Sequence, residues 1–538
     1  MKIKPSIHFM IMLALVAMSL VGFAAIVIAG QLRGYTPNLM MGARDVLLFV
    51  PLLAVFVWLL RTQRCKADFT LFTAMMILFT VGTVAQYRLF SDPEYGARHI
   101  NEKVDTREAK MQVIKMRNIK TAYDDTKLKA LFGTTDRDHL PQPKTSVLNR
   151  TFTLGQILFS EFTYMPLLGM LGLAVAYLFM KRDDVLLLIQ RSSLVIGVAT
   201  LVPFTFAVLF LARAGKIFGT TPWEPVKILF LFSFAGVLAD NYRNLSRTRW
   251  GLPSGRFLLP LIAIAMLPAL PFFALSDFGQ MLVFYGVYAL LFFVTVRRTP
   301  LMVYGSLMSL VFMPVFYFGI GLPNRIKLRF YLWWNLWQPP DPGVAWWQPF
   351  ANEIQKAYHG QVISNLDAWF DQSSQLAQAL FGISRGHIFG SGLGLGFPEV
   401  VPVSDSDFIY AAIGEELGLL GGIIVIGALL ALVMTGIRTA RDSRDMFTKL
   451  LAAGITGFLG LQAIVNIGGV IRLLPMTGIT LPFVSHGGSS LVTSFVMVGI
   501  LLAISHRNES ERLREKQGSE PAREQFGKHS LVGAVNSI

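Results

Sequence analysis

The stretch QLAQALFGISRGHIFGSGLGLGFPEVVPVSDSDFIYAAIGEELG, Gln375 to Gly418, decides how the rest of the chain is read. Four glycines, Gly390, Gly392, Gly394 and Gly396, precede two carboxylates, Asp405 and Asp407, at the mouth of an apolar run; Glu415 and Glu416 follow about two helical turns further in. Carboxylates inside a membrane span are costly, so they face a cavity or a cationic partner. The glycines permit tight turns or close backbone approach. With no strand ahead of them they make no dinucleotide fingerprint. Acid at the mouth of a span and acid within it point to an intramembrane polar site.

The composition outside this stretch agrees with a membrane reading. The 538 residues are 53% hydrophobic and 15% charged, against roughly 25% charged in soluble chains, and mean hydropathy is +0.53. A helical span takes about 20 apolar residues. Twelve apolar runs stand out, centred near Ala17, Leu53, Ile77, Leu173, Val198, Phe232, Ile264, Tyr288, Leu310, Ile424, Gly457 and Val498. The expected fold is all-α, a polytopic helical membrane protein of about 12 transmembrane helices. The first run follows MKIKPS and has some features of a signal peptide, but it leads straight into a second span and is read as retained.

Charge sets the expected orientation. Arg61, Arg64, Lys66, Lys181, Arg182, Arg191, Arg243, Arg247, Arg249, Arg256, Arg297, Arg298, Arg438, Arg441, Arg444 and Lys449 fall in loops on one side. The positive-inside rule makes that side cytoplasmic, together with both termini. The net charge of +15 therefore serves topology, and no nucleic-acid partner is expected. One cysteine, Cys65, allows no internal disulfide or multi-cysteine metal site. The polar tail, residues 507–538, is expected to lack regular structure.

Two large loops then face outward. Residues 91–153 mix basic and acidic side chains and read as a solvated insert or a partner-docking cap. Residues 321–407 hold six of the nine tryptophans, Trp333, Trp334, Trp337, Trp346, Trp347 and Trp369. Tryptophan favours the headgroup level, so this loop is expected to lie on the membrane surface, with interface anchoring preferred to direct stacking on a substrate.

Three polar clusters open on that side. In the first, Asp407 reads as a helix N-cap for the span starting at Phe408 or as a catalytic carboxylate, and spacing alone favours the cap. Glu415 and Glu416 read equally as packing glue. In the second, GKIFGTTPWEPVK, Glu224 and Lys227 stand three apart on one helical face, an internal pair or a cation held ready for phosphate. In the third, Gln462 to Leu491, Gly, Pro, Ser and Thr imply non-helical backbone at membrane depth, tolerated where protein or a water-filled cavity covers it. Asn466, Thr477, Ser485, His486, Ser489 and Ser490 are candidates to line that cavity.

Together these motifs resemble the shape, elongation, division and sporulation (SEDS) family, the RodA-, FtsW- and SpoVE-like membrane proteins. Its glutamine pair, Gly-rich turn, TDFIF-like span start and EELG are met by Gln375, Gln378, Gly390 to Gly394, SDFIY and Glu415 to Gly418. Its NIG, P-TG and LPF-S-GGSS pattern is met by Asn466 to Gly468, Pro475, Thr477, Gly478, Leu481 to Phe483, Ser485 and Gly487 to Ser490. Upstream, TPWEPVK keeps Pro222, Glu224 and Lys227 of a QPSE-lysine motif, and Ser276 to Gly279 keeps Asp277 and Gly279 of a PDLG motif. Departures are Thr221, Trp223 and Ser276, Asp405 where a His is usual, His486 where a Tyr is usual, and GKIFG in place of a GARRW-like run.

The resemblance implies a ten-helix core over residues 68–506, preceded by an added transmembrane hairpin, residues 1–67. It implies a peptidoglycan glycosyltransferase of the bacterial cytoplasmic membrane that polymerises lipid II, the undecaprenyl-pyrophosphate-linked disaccharide peptide, on the outer face. A class B penicillin-binding transpeptidase is the implied partner. By this resemblance Asp407 is the base, and Glu224, Lys227, Ser485, Ser489, Asn466 and Gln378 bind the substrate and its pyrophosphate. Asp405, Glu415, Glu416, Asp277, Thr477 and His486 support them. No cofactor is evident, and a divalent cation is compatible although no dedicated ligand set is visible. Two other readings stay open: a flippase for the lipid-linked precursor, and a non-enzymatic scaffold for the transpeptidase.

Overall fold

Ten of the twelve expected span centres fall inside described helices, and the chain folds as a helical bundle. The computed structural model describes residues 5–33, 37, 39–61, 67–91, 160–211, 223–246, 272, 277–296, 324–357 and 364–532. The runs near Ile264 and Leu310, Cys65 and nearly all of the 91–153 loop lie outside them. In chain order the helices are α1 (Pro5–Leu32), α2 (Leu39–Leu47), α3 (Phe49–Arg61), α4 (Thr70–Ser91), α5 (Glu161–Met180), α6 (Asp183–Arg191), α7 (Ser193–Leu211) and α8 (Trp223–Ser246). Then come α9 (Phe278–Val296), α10 (Asn324–Trp334), α11 (Gln348–Ala357), α12 (Asn365–Gly386), α13 (Ile409–Glu416), α14 (Gly418–Asp442), α15 (Met446–Val470) and α16 (Gly488–Val532).

Among the described residues seven segments are long and apolar enough to cross a membrane: α1, α2 with α3, α4, α5, α14, α15 and α16. α6 and α7 qualify as a pair bent by 61°, and α9 is a shorter apolar helix. α8 carries more charge, yet it sits in the middle of the bundle against α7, α9 and α15. An aromatic core holds it there. Phe230 stacks on Phe234 and meets Phe284 edge-on at 5.2 Å, and Phe284 meets Phe458 of α15 at 5.1 Å. Such edge and offset contacts fix ring positions more tightly than area burial alone. The core therefore sets where the start of α8, with Glu224 and Lys227, stands.

At one end of the bundle, here called the rim, the ends of α1, α4 and α15 meet the starts of α5, α8 and α9 and the irregular segments 391–408 and 472–487. Backbone polar groups there are satisfied by side chains, as membrane-depth loops require. Gln86 donates to the Val484 carbonyl at 2.7 Å, and Arg88 donates to that of Gly396 at 3.2 Å.

Two expectations change. Two of the tryptophans in the 321–407 loop are not available as interface anchors. Trp347 and Trp369 are fully buried, at 0% exposure, and pack edge-on at 5.6 Å, with Tyr331 against Trp369 and Trp346. Their indole N–H groups donate to Asn365 Oδ1 and to the Leu336 carbonyl. Burying these rings on one another removes more apolar surface from water than spreading them would, and only Trp334 (73% exposed) and Trp337 stay open. The polar tail, expected without structure, continues α16 to Val532. Arg507 pairs with Glu511 one turn on, and Arg444 pairs with Glu511 and Glu515, which ties the tail's first turns to the α14–α15 connection.

Candidate active site at the rim

Asp407 follows a chain of turns and precedes α13. It does not cap that helix: the N-cap residue is Phe408, with no side-chain cap bond. The N-cap alternative is thereby lost. Its backbone carbonyl accepts from Asn466 Nδ2 at 2.9 Å, and the same amide donates to the Ile479 carbonyl. Asn466 thus ties the Asp407 segment to the 472–487 loop. Burial, and then the negative charge of Asp405, push the Asp407 carboxyl up to about 6, while Arg329 pulls the other way.

Arg329, on α10, was not anticipated. Its Nη1 donates to the Thr477 carbonyl at 2.9 Å. A Cβ placed on Gly478 would lie 3.4 Å from Asp407 Oδ2 and 3.5 Å from Arg329 Nη2, so the carboxylate and the guanidinium flank the same glycine. Arg329 also attracts Asp277, whose Oδ1 accepts from the Gln280 N–H at the start of α9. Thr477 itself packs on Gly279, so the Asp277 turn and the Asp407 region share one wall.

Glu224 and Lys227 complete the cluster. Lys227 Nζ donates to Glu224 Oε1 at 2.8 Å and approaches Gln462 Oε1 at 3.4 Å; the lysine is 1% exposed and the glutamate 2%. A charge pair this deep is held by geometry and additional hydrogen bonds. Gln462 supplies them, donating to the Thr480 carbonyl at 2.9 Å and reaching Ser490 Oγ at 3.3 Å. Gln462 and Asn466 stand four apart on α15 and present one face, with Lys227 at one and Asp407 at the other. Glu224 Oε2 and Asn466 Oδ1 are buried acceptors with no hydrogen-bond partner among the described residues. Free acceptors of this kind suit hydroxyl or amide donors of a ligand.

The remaining candidates divide. Ser485 Oγ donates to the Ser406 carbonyl at 2.6 Å, and the His486 N–H donates to the Asp405 carbonyl at 2.7 Å, so both hold the acid-bearing segment in place. Ser490, rather than the half-buried Ser489, meets Gln462. Gln378, on α12, has no described bond to the cluster, and its Oε1 is buried without a partner among the described residues.

Glu415 and Glu416 belong to a different assembly. Glu416 bonds Arg88 Nε at 2.8 Å and the Gly394 N–H at 3.2 Å, and Glu415 accepts from the Phe397 N–H at 2.8 Å. Their backbone carbonyls accept from Ser391 and Gly392. Gly390 (φ +84°) and Gly418 (φ +65°) cross so closely that a Cβ on Gly390 would lie 2.1 Å from the Glu416 carbonyl oxygen. This is the glue reading: the two glutamates clamp the Gly-rich turn. Arg88 was also missed, although an arginine inside an apolar run implies a buried acidic partner. Among the described residues no group of three or more His, Cys, Asp or Glu side chains is placed to hold a metal ion.

Residues 156–510 match the family model described as a cell cycle protein of the FtsW, RodA and SpoVE type. The chain is 33% identical over 294 residues to the peptidoglycan glycosyltransferase RodA of Mycobacterium tuberculosis (strain ATCC 25618 / H37Rv), a match covering 54% of this chain and 56% of that one. It is 30% identical over 292 residues to the stage V sporulation protein E of Bacillus subtilis (strain 168), covering 54% and 69%. The match thus spans little more than half the length of the mycobacterial relative. The crystal structure of the rod shape determining protein RodA from Thermus thermophilus aligns over 64% of this chain and 95% of that one, at 19% identity and a TM-score of 0.31.

Proposed function

Because the chain belongs to the FtsW, RodA and SpoVE family of cell cycle proteins, we propose that it is a peptidoglycan glycosyltransferase that polymerises lipid II on the outer face of the cytoplasmic membrane. One observation carries the reading. A carboxyl tuned to about 6 and two cations, Arg329 and Lys227, share one hydrogen-bonded rim, joined through Asn466 and Gln462.

The chemistry follows from these groups. Asp407 takes the proton of an acceptor sugar hydroxyl as its oxygen attacks the anomeric carbon of the donor, and the bond from that carbon to the pyrophosphate oxygen breaks. A base with a pKa near the working pH is the efficient one. The leaving lipid pyrophosphate gathers negative charge, which Lys227 and Arg329 meet by charge-assisted hydrogen bonds. Glu224 keeps Lys227 oriented. The positive-inside pattern supports an outward rim and cytoplasmic termini, and relatives named for peptidoglycan glycosyl transfer and for sporulation support a cell-wall role. A class B penicillin-binding transpeptidase is the proposed partner.

The flippase reading needs polar groups along a path through the bundle. Beneath Lys227 the described layer is instead filled by Phe230, Phe234, Phe284 and Phe458. A docking scaffold needs no buried Glu and Lys pair. The test is purified protein, with and without its transpeptidase, incubated with lipid II and scored for glycan strands. Strands from the wild type and none from Asp407→Asn are expected; no strands from the wild type in the presence of its transpeptidase would refute the assignment.

A further inference from the structure

The family match begins at residue 156, yet one arginine far upstream of it touches the loop that leads to Asp407, and a second packs on a ring that contacts that region. Arg33, at the end of α1, donates through Nη2 to the carbonyls of Leu395, at 3.0 Å, and Gly396. Its guanidinium stands 4.5 Å from the centre of the Phe397 ring and 3.8 Å from Glu399. Those residues run from the end of the Gly-rich turn toward Asp405. The α1 helix comes so near the turn that a Cβ on Gly394, at φ +81°, would sit 2.5 Å from Ala29 Cβ.

On the other flank Arg44 of α2, bonded to Asp45, lies 5.3 Å from the centre of the Phe162 ring. Phe162 stacks on His486 at 4.2 Å, and the His486 N–H holds the Asp405 carbonyl. Helix α1 therefore holds the 394–399 segment directly, and α2 backs the other segment through Phe162.

We infer that these helices brace the catalytic loop, with Arg33 as a positioning residue that fixes residues 395–408 and through them the Asp407 carboxylate. The inference rests on Asp407 being the base. A guanidinium is a rigid planar fork that satisfies two carbonyls and a carboxylate at once, which a lysine ammonium cannot do with the same geometry. Removing Arg33 leaves Glu399 paired with Arg88 at 3.1 Å, so the loop stays folded but loses its outer tie. Small displacements of a reacting group weigh on the chemical step more than on binding.

The experiment compares full-length wild type, Arg33→Ala and Arg33→Lys in lipid nanodiscs. Polymerisation of lipid II gives kcat and KM, and amide hydrogen exchange reads residues 395–408. For Arg33→Ala we expect kcat about tenfold lower, the equivalent of about 1.4 kcal/mol, KM within about twofold, and exchange in 395–408 about tenfold faster. Arg33→Lys is expected to recover part of kcat. Wild-type exchange in that segment, or wild-type kcat, overturns the inference; should Arg33→Ala fail to fold, Arg33→Lys is read against the same two criteria. A wild type that makes no glycan refutes the enzyme reading, whereas the exchange measurement needs no turnover and decides the brace separately.

Discussion

At Asp407 burial and the neighbouring Asp405 act in one direction and Arg329 in the other, leaving the carboxyl near 6 instead of at its ordinary 3.8. The general base is the ionised form, so kcat/KM for polymerisation should rise with pH through about 6 and flatten above about 7, read from initial rates in a buffer series. Stability runs the opposite way. A carboxyl with a raised folded-state pKa holds its proton more tightly when folded, so the fold loses stability from this group as pH climbs from about 4 to about 6. Asp407→Asn removes that charge. It should abolish polymerisation while the thermal midpoint at pH 7.5 stays level or rises, and a fall of many degrees would make Asp407 a structural residue. Asp405→Asn, which leaves the base in place, is expected to lower the rate by about tenfold at most, about 1.4 kcal/mol of transition-state stabilisation.

Among the elements, the Gly-rich turn depends on a single buried cation. Arg88 reaches Glu416 at 2.8 Å and Glu399 at 3.1 Å, with all three side chains nearly inaccessible. Arg88→Met would leave two buried carboxylates without their main partner, at a cost of about 3–5 kcal/mol. Thermal unfolding in detergent should show this as a large drop, partly restored by adding Glu416→Gln. The tryptophan loop behaves as a small core of its own. Trp369→Ala removes a fully buried ring that contacts Trp347 and Tyr331 and should cost about 3–5 kcal/mol. Trp334→Ala, at an exposed site, should shift the midpoint little.

For the whole molecule the rim is the end where loops, cations and acids collect, and the opposite end carries the ion pairs of Arg507 with Asp183, Asp445 and Glu511. An outward rim has a direct consequence for labelling. The sole cysteine, Cys65, lies in a basic loop expected on the cytoplasmic side. A membrane-impermeant maleimide should label it in inside-out vesicles only. In a Cys65→Ser background, Trp334→Cys should label in right-side-out vesicles only, and a spin label there should report headgroup depth. The reverse pattern would put the site on the cytoplasmic face and end the reading of outward synthesis.

Among the described residues span placement was legible because lipid-exposed backbone must make its hydrogen bonds internally, so a long apolar run crossing hydrocarbon takes up a helix. Asp407, Glu224, Lys227 and Asn466 were legible as polar groups that hydrocarbon would otherwise exclude. Their meeting was not. The Asn466 amide on the Asp407 carbonyl and Arg329 beside Gly478 join residues separated by between 59 and 149 positions, through contacts that no local pattern encodes. Arg329 and Arg88 went unread because a cation's role depends on which acid packs against it. Trp347 and Trp369 were misplaced for a related reason: an indole near a membrane can satisfy its ring in the headgroups or against other rings. Only the tertiary arrangement, with a Leu336 carbonyl and an Asn365 amide waiting for the two N–H groups, decided for the second.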